Sequence, residues 1–467
     1  MIYLTDNREP LVIVENLKTN FVTWRGMVRA LNGVSFTIHK GEVLGLVGET
    51  GCGKSVTSYS IMSLIPPTQG AVVEGKITFR GEDLTKYKGY DVNIRYKRKK
   101  YRLKYRYGRY KKVQNYMNKY RGTGMAMIFQ EPMSSLNPVY TIGFQLTEPL
   151  VVHSKEMLAT RLLAKARISN DTFKKLKISV LNNTVDSSIN YEDRYVKVIY
   201  EQMKAIKLRT DITTLQKNEY IDKLTDTGKI KINVLILKFL DYILKNNGKL
   251  PIYAKIPYIK KYFMKPLLKE AGLKAAELLR TVSIYDPEKI LRMYPHELSG
   301  GMKQRCVIAM ALACDPALLI ADEPTTALDV TTQAQILDLI KDLKNRINSS
   351  ILFITHDLGV ISDIADRVAV MYGGDIAEIG NKMDIFSNPH HPYTQGLLRS
   401  IPTESTPRGD RLKIIPGAIP NMLDPPPGCR FHPRCQYKMD ICDKVKPNPV
   451  EVEPDHYVSC YLYGGEQ

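Results

Sequence analysis

Eight consecutive residues constrain this chain more than any other feature. Gly48, Glu49, Thr50, Gly51, Cys52, Gly53, Lys54 and Ser55 follow the pattern G-x-x-x-x-G-K-[ST] of a phosphate loop. Glu42 to Val47 before them reads as a buried strand, and Val56 to Leu64 after them as the start of a helix. The glycines let successive backbone N–H groups turn inward as an anion nest. The helix N-terminus adds a positive dipole end beneath the phosphates. Lys54 is placed to reach the β- and γ-phosphates and Ser55 to ligate Mg²⁺. Cys52 contributes its backbone rather than its thiol. The ligand implied is a nucleoside triphosphate. A bare Gly-rich turn is the alternative, and the flanking strand and helix count against it.

Further segments carry chemistry of their own. Ala317 to Pro324 is an apolar strand ending in Asp322 and Glu323. A carboxylate at the end of a buried strand is costly unless paired, hydrogen-bonded or near a metal. A Mg²⁺ on Ser55 supplies the compensating charge for Asp322, and Glu323 can orient or deprotonate an attacking water. His356 closes another apolar strand, Ser350 to Thr355. That places it at the carboxyl edge of a parallel sheet, where ligands collect. Ser299, Gly300 and Gly301 open a helix expected over Met302 to Cys314, a second N-terminus suited to phosphate.

In chain order, Phe129-Gln130-Glu131, Leu298-Ser-Gly-Gly-Met-Lys-Gln-Arg305, Ala317–Pro324, Ala327-Leu328-Asp329 and Phe353-Ile-Thr-His356 resemble motifs of the ABC-type ATPases. They look like the glutamine loop, the signature, the second nucleotide motif, the dimer-contact loop and the switch histidine. The resemblance covers nearly the whole chain apart from two insertions. It implies ATP and Mg²⁺ as ligands, Gly48 to Val56 as the cis phosphate contacts, and Ser55, Gln130 and Asp322 around the metal. Glu323, His356 and Gln130 would serve hydrolysis. Ser299, Gly300, Gly301 and Gln304 would serve the partner subunit's ATP, and Asp329 the dimer loop. An aromatic residue stacks on adenine in this family. Trp24, the only tryptophan, is the nearest match, offset by one residue, with Phe21 or a core role as alternatives.

The coarse pattern agrees. Leu11 to Val47 reads as strand-rich, Thr141 to about Met293 as mainly helical, and strands alternate with helices from Leu318 to about Lys382, as in a helix-covered parallel sheet. The expected class is therefore α/β. It comprises a RecA-like parallel core, an N-terminal antiparallel subdomain, a helical subdomain with insertions and a small Cys-rich C-terminal domain. The expected divisions are 1–140, 141–297, 298–388 and 389–467. One phosphate loop and one signature make one nucleotide unit, so a second ATPase subunit is required, a paralogue by expectation. The first eight residues have no signal-peptide pattern and no run of 18 apolar residues occurs, which predicts a chain soluble by itself.

The chain carries a formal net charge of +19. Residues 86–121 hold 15 Lys or Arg, one Asp and nine Tyr, so the excess is local. Such a segment suits a solvated helical hairpin or disordered loop, an anionic lipid surface, or RNA. A second insertion, about 155–269, holds helix-forming stretches such as Ile232 to Leu244 and has no assigned role.

Asn388 to Leu398, Ile415 to Asn421 and Pro427 to Cys435 resemble the ATPase subunits of bacterial oligopeptide and dipeptide importers. Cys429, Cys435, Cys442 and Cys460 lie in this tail. Four thiolates can hold zinc or an iron–sulfur cluster, or remain free. Their spacing matches no C-x-x-C zinc pattern, and the resemblance favours [4Fe–4S]. It further implies two membrane-spanning permease subunits, an extracytoplasmic binding protein, and residence on the cytoplasmic face of the membrane. Import of nickel or another small solute is the nearest alternative. A soluble ABC ATPase of ribosomes or nucleic acid is the more distant one.

Overall fold

The computed structural model describes residues 8–87, 92–97, 100–131, 135–167, 170–208, 213–214, 216–218, 221, 234–326, 328–346, 349–400 and 415–464. The N-terminal stretch 1–7, residues 88–91 and 98–99 of the basic insertion, Ile232, and Ala327 of the dimer loop lie outside the described residues. Two compact units form: Met1–Pro132 with Asp315–Gln467, and Met133–Cys314.

The first unit holds every strand described. They are β1 (Pro10–Thr23), β2 (Gly26–His39), β3 (Val43–Val47), β4 (Gly70–Phe79), β5 (Glu82–Asp83), β6 (Val92–Lys97), β7 (Lys100–Tyr105), β8 (Met125–Ile128), β9 (Leu318–Asp322), β10 (Ser350–Thr355), β11 (Arg367–Tyr372), β12 (Asp375–Asn381), β13 (Val450–Glu453) and β14 (His456–Val458). β2-β1-β4-β5 make an antiparallel sheet. The main sheet runs β13-β14-β12-β11-β3-β10-β9-β8, parallel from β11 to β8. β3, β8, β9, β10 and β11 are buried at every position. Covered on both faces, they read as continuous apolar runs without alternation. Leu44, Leu46, Ile320, Leu352, Ile354 and Ala369 from these strands meet Phe36 and Phe79 of the antiparallel sheet in one core.

Two expectations change here. The basic insertion does not begin as a helical hairpin. β6 and β7 pair as an antiparallel ribbon, and a helix Tyr107–Met117 follows. Alternating Tyr, Arg and Leu suit a ribbon better than a helix face. Val113, Tyr116 and Met117 are buried, which ties that helix to the core. The C-terminal tail is also not a separate body. β14 pairs with β12 through Glu378↔Val458 and Ile379↔Tyr457, so the tail completes one edge of the main sheet.

The second unit is helical. Its helices include Ile142–His153, Lys155–Arg167, Arg194–Lys207, Val234–Lys245, the 25-residue Pro257–Thr281, and Gly300–Ala311. The signature helix thus belongs to this unit and ends at Ala311, whereas the sequence pattern places it with the returning core. Its end is a satisfied one, with the Leu312 N–H bonded to Ile308 O and Met310 O. Among the described residues, no helix is long and apolar enough to cross a membrane.

A buried charge network ties this unit together. Arg161 Nε donates to Glu270 Oε1 at 2.7 Å and Lys165 Nζ to Glu270 Oε2 at 2.8 Å. Arg161 Nη1 also reaches Glu277 Oε2 at 3.0 Å. Burial alone would raise the Glu277 carboxyl, but the Arg161 guanidinium overrides it and holds it at about 2. Glu270→Ala would leave the buried Lys165 short of its anion and Arg161 with Glu277 alone. The expected loss in full-chain urea unfolding is about 3–5 kcal/mol. A loss below about 1 kcal/mol would mean water replaces the carboxylate.

Candidate nucleotide site

The phosphate loop spans the end of β3 and the helix Lys54–Ile61. Two of its glycines are required by geometry. Gly48 has φ +158°, and a Cβ there would lie 2.1 Å from Met371 O. Gly53 has φ +107°, and a Cβ would press on Leu31 and Met371 at 2.9 Å. A Cβ at Gly48 would require β11 to move, and one at Gly53 would add side-chain clashes to a left-handed φ. The buried Lys54 lays its Nζ along the loop, donating to Gly48 O at 2.8 Å and Glu49 O at 3.3 Å. Cys52 is buried and its thiol is pushed up to about 11 by burial, as an inert core residue would be.

The structure brings the sequence-read carboxylates to this loop. Ser55 Oγ donates to Asp322 Oδ1 at 3.0 Å. Asp322 Oδ2 is buried with no hydrogen-bond partner. Burial, with the neighbouring Glu323 carboxylate adding to it, pushes the Asp322 carboxyl up to about 6. An orphaned anionic oxygen beside a serine hydroxyl is the donor set a hard divalent cation satisfies, so these residues fit Mg²⁺.

Glu323 occupies the centre of the site. Gln130 Nε2 donates to its Oε2 at 3.0 Å, and Thr326 Oγ1 donates to the same oxygen at 3.1 Å. His356 Nδ1 lies 3.3 Å from Oε1, and Lys54 Nζ 3.9 Å from it. Its backbone has φ +47°, a left-handed conformation unusual for a glutamate, and its N–H donates to Ile354 O at 2.8 Å. Strain of this kind costs of order 1–3 kcal/mol and persists where the surroundings over-determine it. Here β9 leads into the residue and β10 accepts its N–H.

The other sequence-read residues lie elsewhere. Trp24 is 88% exposed at the β1–β2 turn, with the Arg25 guanidinium 4.6 Å over its ring. Ser299 caps the helix Gly300–Ala311, its Oγ accepting from the Met302 N–H at 3.3 Å. Gln304, read as a contact to a second nucleotide, is a buried side chain one turn into the same helix, four residues after Gly300. Asp329 is exposed and caps the helix Val330–Arg346, accepting from the Thr332 N–H at 2.9 Å.

One part of the site has no sequence signal. The tail braces the phosphate loop. Arg434 holds the Glu49 carboxylate in a bidentate pair, Nη1 to Oε2 at 2.7 Å and Nη2 to Oε1 at 3.1 Å. The Glu49 N–H donates to the Tyr393 hydroxyl at 3.0 Å. The tail, divided from the nucleotide core in the sequence at 389, therefore reaches it, as side chains 344 and 385 residues away meet one loop residue. Thr326 was equally unmarked. Arg434→Ala should raise the Kd for ATP roughly tenfold, since bidentate guanidinium pairs fix geometry as well as charge. Unchanged ATP affinity in the purified chain would limit Arg434 to holding the tail in place.

The four tail cysteines line one pocket, with His391, Phe431 and Tyr461 among its walls. Burial raises the Cys429 thiol to about 12 and the Cys460 thiol to about 11. Among the described residues, no three of the cysteine sulfurs gather within 4.8 Å of one another.

The ABC transporter family profile matches residues 31–326, and the oligopeptide/dipeptide transporter C-terminal region matches residues 377–442. The dipeptide transport ATP-binding protein DppD of Bacillus subtilis is 36% identical over 454 residues, covering 97% of this chain and 95% of that protein. The oligopeptide transport ATP-binding protein AppD of the same organism is 37% identical, covering 98% of this chain and 99% of that protein. Its oligopeptide transport ATP-binding protein OppD is 37% identical over 97% of this chain and 88% of that protein.

Proposed function

The chain belongs to the ABC transporter ATP-binding family, and from that premise we propose that it is the ATP-hydrolysing subunit of an importer of oligopeptides and dipeptides. One observation carries the reading. The phosphate loop meets Asp322 and Glu323, under Gln130 and His356, in a chain whose residues 377–442 match the oligopeptide/dipeptide region.

Each residue has a part in the chemistry. The loop N–H groups and Lys54 cradle the phosphates. Ser55, Asp322 and Gln130 would hold Mg²⁺, which would supply positive charge to the phosphoryl group being transferred. Glu323 Oε accepts the proton of the attacking water as its oxygen bonds to the γ-phosphorus and the bond to ADP breaks. His356 contacts the γ-phosphate, and Gln130 links the site to movement of the helical unit. Trp24 offers its exposed face to adenine. Ser299, Gly300 and Gly301 complete the nucleotide of a second, paralogous ATPase subunit, with Asp329 at the contact.

The fold reads as a RecA-like core, an antiparallel β subdomain, a helical subdomain and a Cys-rich terminal region. The chain works peripherally on the cytoplasmic face of the membrane, with two permease subunits and an extracytoplasmic binding protein. The basic ribbon and helix of residues 86–121 contact anionic lipid.

Cells lacking the chain should lose uptake of labelled di- and oligopeptides. Wild-type protein should restore it and Lys54→Ala should not. Normal peptide uptake with lost nickel uptake would move the reading to the other solute class.

The tail cysteines hold [4Fe–4S] in this reading. Anaerobically purified protein should be brown with about four irons per chain. Stoichiometric zinc without iron would assign the site to zinc, and neither metal would leave the thiols free.

A further inference from the structure

A second donor cluster lies at the outer edge of the main sheet, apart from the nucleotide residues and the cysteines. His456 is fully buried at the start of β14. Its Nε2 is 2.8 Å from Glu378 Oε1. That buried carboxylate also accepts the His390 N–H at 2.7 Å on Oε1 and the His391 N–H at 3.0 Å on Oε2. In the neutral imidazole with Glu378 as acceptor, Nε2 carries the proton and Nδ1 presents a lone pair. Nδ1 has no hydrogen-bond partner. The nearest charged oxygen, Glu453 Oε2, stands 3.9 Å away.

Asp384 completes the group. One donor atom each from Asp384, Glu453 and His456 lies within 4.8 Å of the other two. Each carboxylate also accepts one amide N–H. Asn388 Nδ2 donates to Glu453 Oε1 at 2.8 Å, and Asn381 Nδ2 to Asp384 Oδ2 at 3.3 Å. Three donor atoms therefore lie within 4.8 Å of one another, and amides hold an oxygen of each carboxylate.

We propose that Asp384, Glu453 and His456 Nδ1 bind a divalent transition-metal ion. One imidazole with two carboxylates suits the borderline ions, zinc, iron(II) and manganese, and water fills the remaining positions. At about 2.1 Å from each donor a tetrahedral ion would set the donors roughly 3.4 Å apart. Rotation of the two partly exposed carboxylates supplies the closure. Glu378 plays the orienting part, a carboxylate holding the far ring nitrogen of a metal-binding histidine. Glu453 is 42% exposed at its side chain, so the ion enters from solvent. Once bound, it staples the β13–β14 hairpin to the helix Lys382–Ser387 that follows β12. Cys460 follows two residues after that hairpin.

The test is Co²⁺ titration of the nucleotide-free full chain, followed by visible absorbance and by thermal unfolding. Wild-type protein should bind one Co²⁺ with weak d–d bands typical of N/O ligation and a raised Tm. Glu453→Gln and Asp384→Asn, both at partly exposed positions, should each weaken that binding at least tenfold and abolish the Tm rise. His456→Gln should do the same if it folds, and the carboxylate variants decide the matter if it does not. Three results would overturn the proposal: no Co²⁺ bound, binding unchanged in both carboxylate variants, or an intense thiolate band that those variants leave intact.

Discussion

Glu323→Gln should bind ATP with near-wild-type affinity and lose about 10²–10⁴-fold in kcat. The substitution preserves volume, and the amide can still meet Thr326 and Gln130 at the same oxygen position. The phosphate cradle of Gly48 to Ser55 and the Ser55–Asp322 pair are untouched. What disappears is the carboxylate that accepts the water's proton. The expected signature is a split: unchanged ATP affinity, collapsed turnover, and a closed two-subunit state that persists because product never forms. Single-turnover hydrolysis in the reconstituted assembly reads it directly. Turnover within a factor of about three of wild type would remove Glu323 as the base and shift attention to His356, which shares its Oε1.

The family was legible because its motifs are local. A phosphate loop, a strand ending in Asp322 and Glu323 and a strand ending in His356 each span fewer than ten residues, and each lies where a buried strand ends. The parallel sheet followed from the same apolar runs. What escaped the sequence is long-range. Arg434 and Tyr393 reach Glu49 across most of the chain, and no periodicity marks such a contact. The pairing of β14 with β12 was hidden because a three-residue strand carries too little pattern to be read. Residues 92–105 looked merely basic. Strand alternation is visible there only if Tyr, Leu and Ile are weighed against Arg and Lys at every second position.

The bracing of Glu49 changes what the tail is for. A ligand lost from the cysteine pocket would act on Cys435, the residue next to Arg434, and so on the first turn of the phosphate loop. A tenfold loss of ATP affinity in Arg434→Ala would show tail integrity and ATP affinity to be coupled through one guanidinium. Allostery of this kind is reciprocal in binding free energy, so ATP should in turn protect the tail.

Ser299→Arg should silence the neighbouring subunit's site while sparing the mutant's own. Ser299 caps the helix Gly300–Ala311, and its Oγ meets the Met302 N–H, so the first N–H groups of that helix point at whatever lies beyond the cap. Replacing the serine removes the cap at a cost of about 0.5–2 kcal/mol. It also fills the approach to the opening with a long side chain, where Gly300 and Gly301 leave room for a phosphate. In the proposed head-to-tail pair, that phosphate belongs to ATP on the partner's loop. Mixed assemblies with one Ser299→Arg subunit therefore separate the two sites. The expected result is loss of at least 10²-fold in hydrolysis at the partner's phosphate loop, with ATP still bound at the mutant's own Lys54 and Ser55. Photo-crosslinked ATP analogues would report occupancy site by site. Loss confined to the mutant's own loop would place the signature helix over its own nucleotide and contradict the shared arrangement.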